Sequence, residues 1–154
     1  MRNIVLIILV SLLIFGCGKA KFKTEPQVTF KSIKPTYVES SIVRGDPSIP
    51  KLTVGVTDGN GDLGFNAGKD TSYIYVKNLL TTKLDSFLLP NLSSAAGKNF
   101  EADIEVSLFN VLGGSNRPRP HTDTLFFEVY VTDFAKNKSN VIVTTDTPLY
   151  YFSP

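Results

Sequence analysis

From Pro26 to the end of the chain, apolar residues recur at every second position, in short runs that Gly, Pro, Asn and Asp interrupt. The clearest run is FEADIEVSL, whose apolar face consists of Phe100, Ala102, Ile104, Val106 and Leu108. Successive side chains of a β-strand point to opposite faces, so this alternation predicts a half-buried strand. No segment of this region carries a convincing helical period, and we therefore expect an all-β fold.

The same pattern predicts about seven or eight strands. We expect them near residues 27–33, 37–43, 51–57, 72–78, 83–88, 100–109, 124–132 and 139–152, the last one interrupted at Pro148. Strands of this number, separated by turn signals at this spacing, predict an antiparallel β-sandwich of immunoglobulin type. The sequence lacks the cysteine pair and the tryptophan of antibody domains, so the chain resembles the broader class of bacterial immunoglobulin-like modules.

Residues 1–16 have the composition of an export signal. Arg2 precedes an uncharged run at residues 4–15, and the small residue Gly16 follows it. Twelve apolar residues are too few to cross a hydrocarbon core of ~30 Å, which takes about 20 residues of helix. A buried helix or a short membrane anchor is the alternative. We predict a lipoprotein signal peptide at residues 1–16, a lipidated N-terminus and linker at 17–25, and a sandwich domain at 26–154.

The residues Ile14-Phe15-Gly16-Cys17 resemble the lipobox of bacterial lipoproteins, in which cleavage before the cysteine leaves it as an acylated first residue. Cys17 is also the only cysteine of the chain. Exported proteins usually pair their cysteines or have none, so acylation explains a single one here, and a free thiol is the alternative. Acyl chains such as palmitate contribute ~0.8 kcal/mol per buried methylene. The membrane is therefore an expected partner, through Cys17.

Charge and motif content argue against several classes of function. After residue 16 the chain carries 15 of the 16 basic and all 14 acidic residues, which is not the basic surface that nucleic acid requires. The only histidine, His121, lies in a proline-rich loop, and the GGSN sequence at residues 113–116 is not the G-x-S-x-G elbow of hydrolases. We therefore expect no nucleic-acid partner and no enzymatic activity.

The loop VTDGNGDLGF places Asp58, Asn60 and Asp62 at alternate positions between glycines. Calcium takes six to eight oxygen ligands, and such spacing aims several oxygens at one point. The loop is not an EF-hand, because Leu63 and Lys69 stand where that motif needs its Gly and Glu. A metal-free turn is the alternative, since Asp, Asn and Gly also dominate turns.

Two further aspartates are candidates to complete a calcium site. Asp70 lies in the same long loop, at 58–71, and Asp133 opens the segment DFAKNKSN. If successive strands alternate in direction, the loops after strands 51–57, 83–88 and 124–132 meet at one pole of the sandwich. The loop at 110–123 then lies at the other pole. We therefore predict that Asp133 approaches the Asp58–Asp62 loop.

Tyr73 and Tyr75 share one predicted strand face and form a candidate binding surface. Aromatic side chains on a sheet can stack on sugars or contact proteins, although tyrosine also simply favours strands. The partner expected here is an unknown protein or glycan.

Taken together, the lipobox, LTVGVTDGNGDLGF and FFEVYVTDFAKNKSNVIVTT resemble small lipoproteins of Bacteroidetes-type bacteria with a DGDGDLG-like loop and a D-x-A-G-N-x-S-N turn. Asn60 replaces an Asp of the first motif, and Lys136 replaces the Gly of the second. The resemblance implies location and fold, namely a lipid-anchored envelope protein, facing the periplasm or the cell surface, with an immunoglobulin-like domain. Our first hypothesis is that this domain is non-enzymatic and serves binding or structure, with calcium ordering one pole. An accessory glycan-binding module is the alternative, and a small hydrolase is a more distant one.

Overall fold

A computed structural model describes residues 22–66, 70–90 and 98–154 of the chain. The predicted signal peptide and Cys17 lie outside the described residues. The strands in chain order are β1 (Gln27–Lys34), β2 (Tyr37–Glu39), β3 (Lys51–Asp58), β4 (Phe65–Asn66), β5 (Asp70–Thr71), β6 (Tyr73–Asn78), β7 (Leu84–Leu88), β8 (Phe100–Ser107), β9 (His121–Leu125), β10 (Phe127–Thr132), β11 (Ile142–Val143) and β12 (Leu149–Ser153).

Two antiparallel sheets form the sandwich. One has the strand order β1-β3-β8 and the other the order β11-β10-β6-β7. These correspond to the A-B-E and G-F-C-C′ sheets of the immunoglobulin-type sandwich, so the predicted fold class is confirmed. A third sheet, β2-β12-β9, continues the second one, because β9 and β10 are consecutive parts of one long strand interrupted at Phe126.

The core lies between the two main sheets, and the period-two pattern explains it. On β3 the inward residues Leu52, Val54 and Val56 are fully buried, and on β10 the inward residues are the equally buried Phe127, Val129 and Val131. The face predicted for β8 is also confirmed, with Phe100, Ile104, Val106 and Leu108 buried. Burial of each such side chain stabilises the fold by about 1.5–3 kcal/mol.

The structure differs from the predicted strands in several places. The strand predicted at 124–132 begins earlier, at His121, and the one predicted at 139–152 forms β11 and β12, separated by a turn in which the Thr147 N–H donates to the Thr144 carbonyl oxygen. The strand predicted at 37–43 ends at Glu39, because the chain turns at once and the Ile42 N–H donates to the Glu39 carbonyl oxygen at 3.2 Å. The strand predicted at 100–109 ends at Ser107 and a 3-10 helix follows at Phe109–Val111. The long loop predicted at 58–71 contains the short β4-β5 hairpin, which has too few residues for a periodic signal.

Candidate functional site: the aspartate pole and the tyrosine ladder

The DGNGDLG loop folds back on the end of β3. Asp58 is the last residue of that strand, and its Oδ2 accepts a hydrogen bond from the Asp62 N–H at 3.0 Å. Gly61 and Gly64 take φ values of 73° and 120°, a left-handed region that favours glycine. These two glycines let the chain turn sharply enough to hold both aspartates at the same end of the sandwich.

A second turn, between β10 and β11, reaches the same end. Asp133 is fully buried, and its carboxylate accepts hydrogen bonds from the Asn137 N–H and from Asn137 Nδ2, both at 2.7 Å. The Phe134 N–H donates to the Asp62 carbonyl oxygen at 2.9 Å. The DGNGDLG loop and the DFAKNKSN turn are therefore neighbours, as the alternation of strand direction predicts. We call the end of the sandwich formed by Asp58, Asn60, Asp62 and Asp133 the aspartate pole.

Two carboxyl groups of the aspartate pole have raised pKa values. Burial, together with the neighbouring Asp62 carboxylate, raises the pKa of Asp58 from 3.8 to about 6. Burial and the Asp133 carboxylate likewise raise the pKa of Asp62, although the nearby side chains of Asp58 and Asn60 partly offset the rise. Asp62 thus disfavours the ionised form of Asp58, and Asp133 disfavours that of Asp62, in a poorly solvated space.

Two carboxylate oxygens of the pole are left unsatisfied. Asp58 is 0% exposed, yet its Oδ1 has no hydrogen-bond partner among the described residues, and the same is true of the buried Asp62 Oδ1. A buried acceptor without a partner costs about 1–3 kcal/mol, and more when it is charged. When one of the two groups is protonated, the Asp58 and Asp62 side chains can hydrogen-bond to each other. When both are ionised, the two oxygens are left for a ligand to satisfy.

The five predicted metal ligands are not all brought together. Asn60 is exposed beside Asp62, whereas Asp70 lies exposed in the β4-β5 hairpin, opposite Asn66, and takes part in none of the contacts above. Within residues 22–66, 70–90 and 98–154, no three His, Cys, Asp or Glu side chains are placed to hold a metal ion. Any ion at this pole would need oxygens other than carboxylates to complete its shell.

The start of the domain is attached to the aspartate pole. The Gly59 N–H donates to the Lys23 carbonyl oxygen at 2.7 Å. A Cβ at position 59 would lie 2.5 Å from that oxygen, so only glycine permits this close approach. The segment that precedes β1 is therefore held against the DGNGDLG loop.

The second candidate surface is on the outer face of the four-stranded sheet. Tyr75 on β6 and Tyr130 on β10 are directly opposite each other, and their rings stack with centroids 4.7 Å apart. Tyr73 lies next to Tyr75 at 6.2 Å. Lys138 Nζ is 3.8 Å from the centroid of the Tyr130 ring, and Lys136 Nζ is 5.9 Å from that of Tyr73. We call these three tyrosines with their two lysines the tyrosine ladder.

The two outer faces of the sandwich differ in chemistry. Beside the tyrosine ladder, β7 exposes Leu84 and Leu88, at 54% and 47%. The three-stranded sheet instead carries ion pairs, Lys31–Asp103 at 3.6 Å and Lys51–Glu105 at 2.9 Å. Of these two outer faces, only the four-stranded one carries exposed large apolar side chains among the described residues, although loops, β2 and β12 expose others.

The opposite pole holds a polar network that the sequence did not predict. Its centre is Asp123, whose side chain is 5% exposed. The carboxylate accepts hydrogen bonds from the Ser115 N–H at 2.6 Å, from Ser115 Oγ at 2.8 Å and from Arg117 Nη2 at 2.9 Å. Burial alone would raise the pKa of Asp123, but these donors lower it below its usual value.

The same network contains a serine and a histidine, but not in the arrangement of a hydrolase. Ser115 Oγ donates to the Asp123 carboxylate, while His121 Nε2 lies 3.2 Å from the other carboxylate oxygen. In a serine hydrolase the histidine stands between the serine and the acid, whereas here the acid stands between the other two. The network is suited to fixing the 110–123 loop to β9.

Comparison with protein-family models, with curated proteins and with solved structures finds no match to this chain. The assignment to the immunoglobulin-type sandwich therefore depends on strand order and core pattern alone. Across the described part of the chain, none of the helices has the length and apolar character needed to cross a membrane.

Proposed function

We propose that the protein is a non-enzymatic lipoprotein of the bacterial cell envelope, anchored through acylated Cys17, whose sandwich domain binds another envelope component. The observation that carries this proposal is the outer face of the four-stranded sheet, where the half-buried tyrosines of the ladder lie beside the exposed Leu84 and Leu88. A face of this kind beside an ion-paired one supports a binding role rather than a purely structural role.

A protein partner fits this face better than a glycan does. Sugars bind to open aromatic ring faces, but Tyr75 covers one face of Tyr130 and Lys138 lies over that ring as well. Stacked tyrosines with lysines beside them offer the mixed apolar and polar contacts that protein interfaces use. The accessory glycan-binding module remains the second candidate, because Tyr73 stands at the end of the ladder and is stacked less closely.

The anchor is tested by fractionating cells that express the full chain or its Cys17→Ser variant. We expect the full chain in the membrane fraction, with an acylated N-terminal cysteine in its mass spectrum, and the variant in the soluble fraction. A variant that still sediments with membranes would contradict the anchor.

The binding face is tested by placing a photo-crosslinking residue at Ser86, which is exposed on β7 beside the ladder. The matched control carries the same residue at Glu105, on the outer face of the other sheet. We expect a discrete cross-linked protein in envelopes only from position 86. Glycan binding by the unmodified chain that is lost in Tyr73→Ala and Tyr75→Ala would instead favour the glycan-binding module.

A further inference from the structure

Most of the buried side-chain atoms that lack a hydrogen-bond partner, among the described residues, lie at the aspartate pole. Of the four buried side-chain polar atoms without a partner in the described part of the chain, three belong to Asp58, Asp62 and Thr132, which all lie where β3 and β10 end. Native proteins leave few such groups, and each one calls for an explanation such as a bound ion. Asp58 Oδ1 needs such an explanation most, because Asp58 is 0% exposed and water does not reach it.

The acidic residues of the aspartate pole favour a cation as the ligand. Asp62 is hydrogen-bonded through its N–H to the Asp58 carboxylate and through its carbonyl oxygen to the turn that begins at Asp133, so three acidic residues meet at this end of the sandwich. Asp133 is already satisfied by two hydrogen bonds from Asn137. Its contribution is therefore negative charge behind the site, while Asp58 and Asp62 have oxygens free to bind.

We propose that a calcium ion binds at the aspartate pole, with Asp58 Oδ1 and Asp62 Oδ1 as its carboxylate ligands and the Asn60 side chain beside them. Two carboxylates alone do not fill a shell of six to eight oxygens, so backbone carbonyls of the glycine-rich loop and water complete it. The donor set contains only oxygen, which selects against zinc and copper. Residues 59–64 form an irregular loop, which favours calcium, with its variable geometry and six to eight oxygens, over magnesium, which demands near-ideal octahedral geometry.

The ion would join two elements that are distant in sequence. Asp58 and Asp62 belong to the loop after β3, whereas Asp133 belongs to the turn after β10, and the two are already linked by the hydrogen bond from Phe134 N–H to Asp62 O. Calcium would neutralise the repulsion between them and so stabilise the folded state. This inference does not depend on the anchor or on the binding face.

The test is thermal unfolding of the purified full chain in chelator and in about 10 mM CaCl₂, near neutral pH. Extracellular calcium modules bind at about 0.1–1 mM, so saturation by calcium should raise Tm by at least about 3 °C. The same concentration of MgCl₂ should give a smaller rise. Titration calorimetry should show a single binding event with calcium.

Three aspartate variants decide whether the ion occupies this site. Asp58→Asn and Asp62→Asn should fold, because each removes a buried charge, and both should lose the calcium-dependent rise in Tm. Asp70→Asn, which changes an exposed aspartate of the same loop, should keep that rise in full. The proposal is overturned if the unmodified chain melts identically in calcium and chelator, if magnesium acts equally, or if the rise persists in Asp58→Asn and Asp62→Asn.

Discussion

At the scale of single residues, Lys136 occupies a backbone conformation that side chains with a Cβ rarely adopt, with a φ of 68°. The related turn motif has Gly at this position, so the sequence already indicated a left-handed residue here. Such a conformation costs about 1–2 kcal/mol for a residue other than Gly or Asn. The hydrogen bond from Lys136 Nζ to Thr71 O, at 2.8 Å, compensates for part of that cost.

We predict that Lys136→Gly leaves the free energy of unfolding unchanged or raises it by up to about 1 kcal/mol, because relief of strain exceeds the added entropy of the unfolded chain. The matched variant is Lys138→Gly, which removes a residue bridged to Thr132 and stacked on Tyr130. It should lower the free energy of unfolding by about 1 kcal/mol. Urea denaturation of both variants measures the difference, and equal losses would contradict the strain argument.

A second prediction at this scale concerns Asp58 and pH. Its pKa in the folded protein is about 6, above the value of 3.8 expected for an unperturbed Asp. The folded state therefore binds more protons than the unfolded state between these values, so in chelator stability should fall as pH rises from about 4 to about 6. The acidic group that acts on Asp58 is Asp62 on its own loop, and Asp133 on the neighbouring turn acts in turn on Asp62.

Asp58→Asn should weaken this pH dependence and should be more stable than the unmodified chain near neutral pH in chelator. Its amide oxygen can still accept the hydrogen bond from the Asp62 N–H. Denaturation curves across this pH range measure the effect. If the free energy of unfolding of the variant falls as steeply between about pH 4 and 6 as that of the unmodified chain, a group other than Asp58 titrates there.

The residues of the aspartate pole could largely be predicted from sequence, because turn-forming residues and strand direction together specify which loops meet. The hydrogen bonds from Asn137 to Asp133 and the exposure of Asp70 could not. Those details depend on how each loop folds within a few ångströms, and alternation of apolar residues carries no information about that.

At the scale of elements, the loop at 110–123 is fixed to β9 and β12 through Gly114 and Asp123. A Cβ at position 114 would overlap the Asp123 carboxylate and would lie 2.9 Å from Cδ1 of Tyr151. The close approach lets the Ser115 N–H reach Asp123. In the sequence, both Ser115 and Asp123 fall in the predicted loop at 110–123, as polar residues without a partner motif, so their pairing was not predictable.

We predict that Gly114→Ala lowers the free energy of unfolding by about 1–3 kcal/mol, as overpacking does. The cost should be smaller in an Asp123→Ala background, where the overlapping carboxylate is gone. Denaturation of the two single variants and the double variant forms a cycle that measures this coupling. If the losses in free energy of unfolding are additive, the Asp123 carboxylate is not the group that clashes with a Cβ at position 114.

Asp123, at the opposite pole, should also make the free energy of unfolding depend on pH. Since its pKa is lowered in the folded state, its contribution to stability is present above the unfolded value and is lost as pH falls through the folded value. We expect Asp123→Asn to be less stable than the unmodified chain at neutral pH, with the difference shrinking in strong acid. Acid titration of the two proteins, followed by circular dichroism, checks this prediction. A difference that stays constant down to about pH 2 would contradict it.

The strands themselves were predictable where one face is buried, as on β3, β8 and β10. The tyrosine ladder was predicted only in part, since alternation places Tyr73, Tyr75 and Tyr130 outward. The stacking of Tyr75 on Tyr130 follows from the register between β6 and β10. That register is set by the whole sheet and cannot be derived from either strand alone.

At the scale of the whole molecule, calcium should slow amide exchange at the aspartate pole and leave the opposite pole unchanged. Hydrogen–deuterium exchange of the full chain in calcium should slow at the amides of Asp62 and Asn137, which are bonded to pole carboxylates. The amide of Ser115, at the other end of the sandwich, serves as the internal control. Uniform slowing along the chain would indicate general stabilisation instead of an ion held at one end.

The hydrogen bond between Gly59 and Lys23 has a consequence for orientation. Lys23 lies six residues after Cys17, a distance that an extended chain covers in at most about 20 Å. If Cys17 carries the lipid, the aspartate pole must therefore lie close to the bilayer, with the tyrosine ladder along the side of the domain. The loop bearing Arg117 and His121 then points away from the membrane, at the end that approaching molecules would meet first.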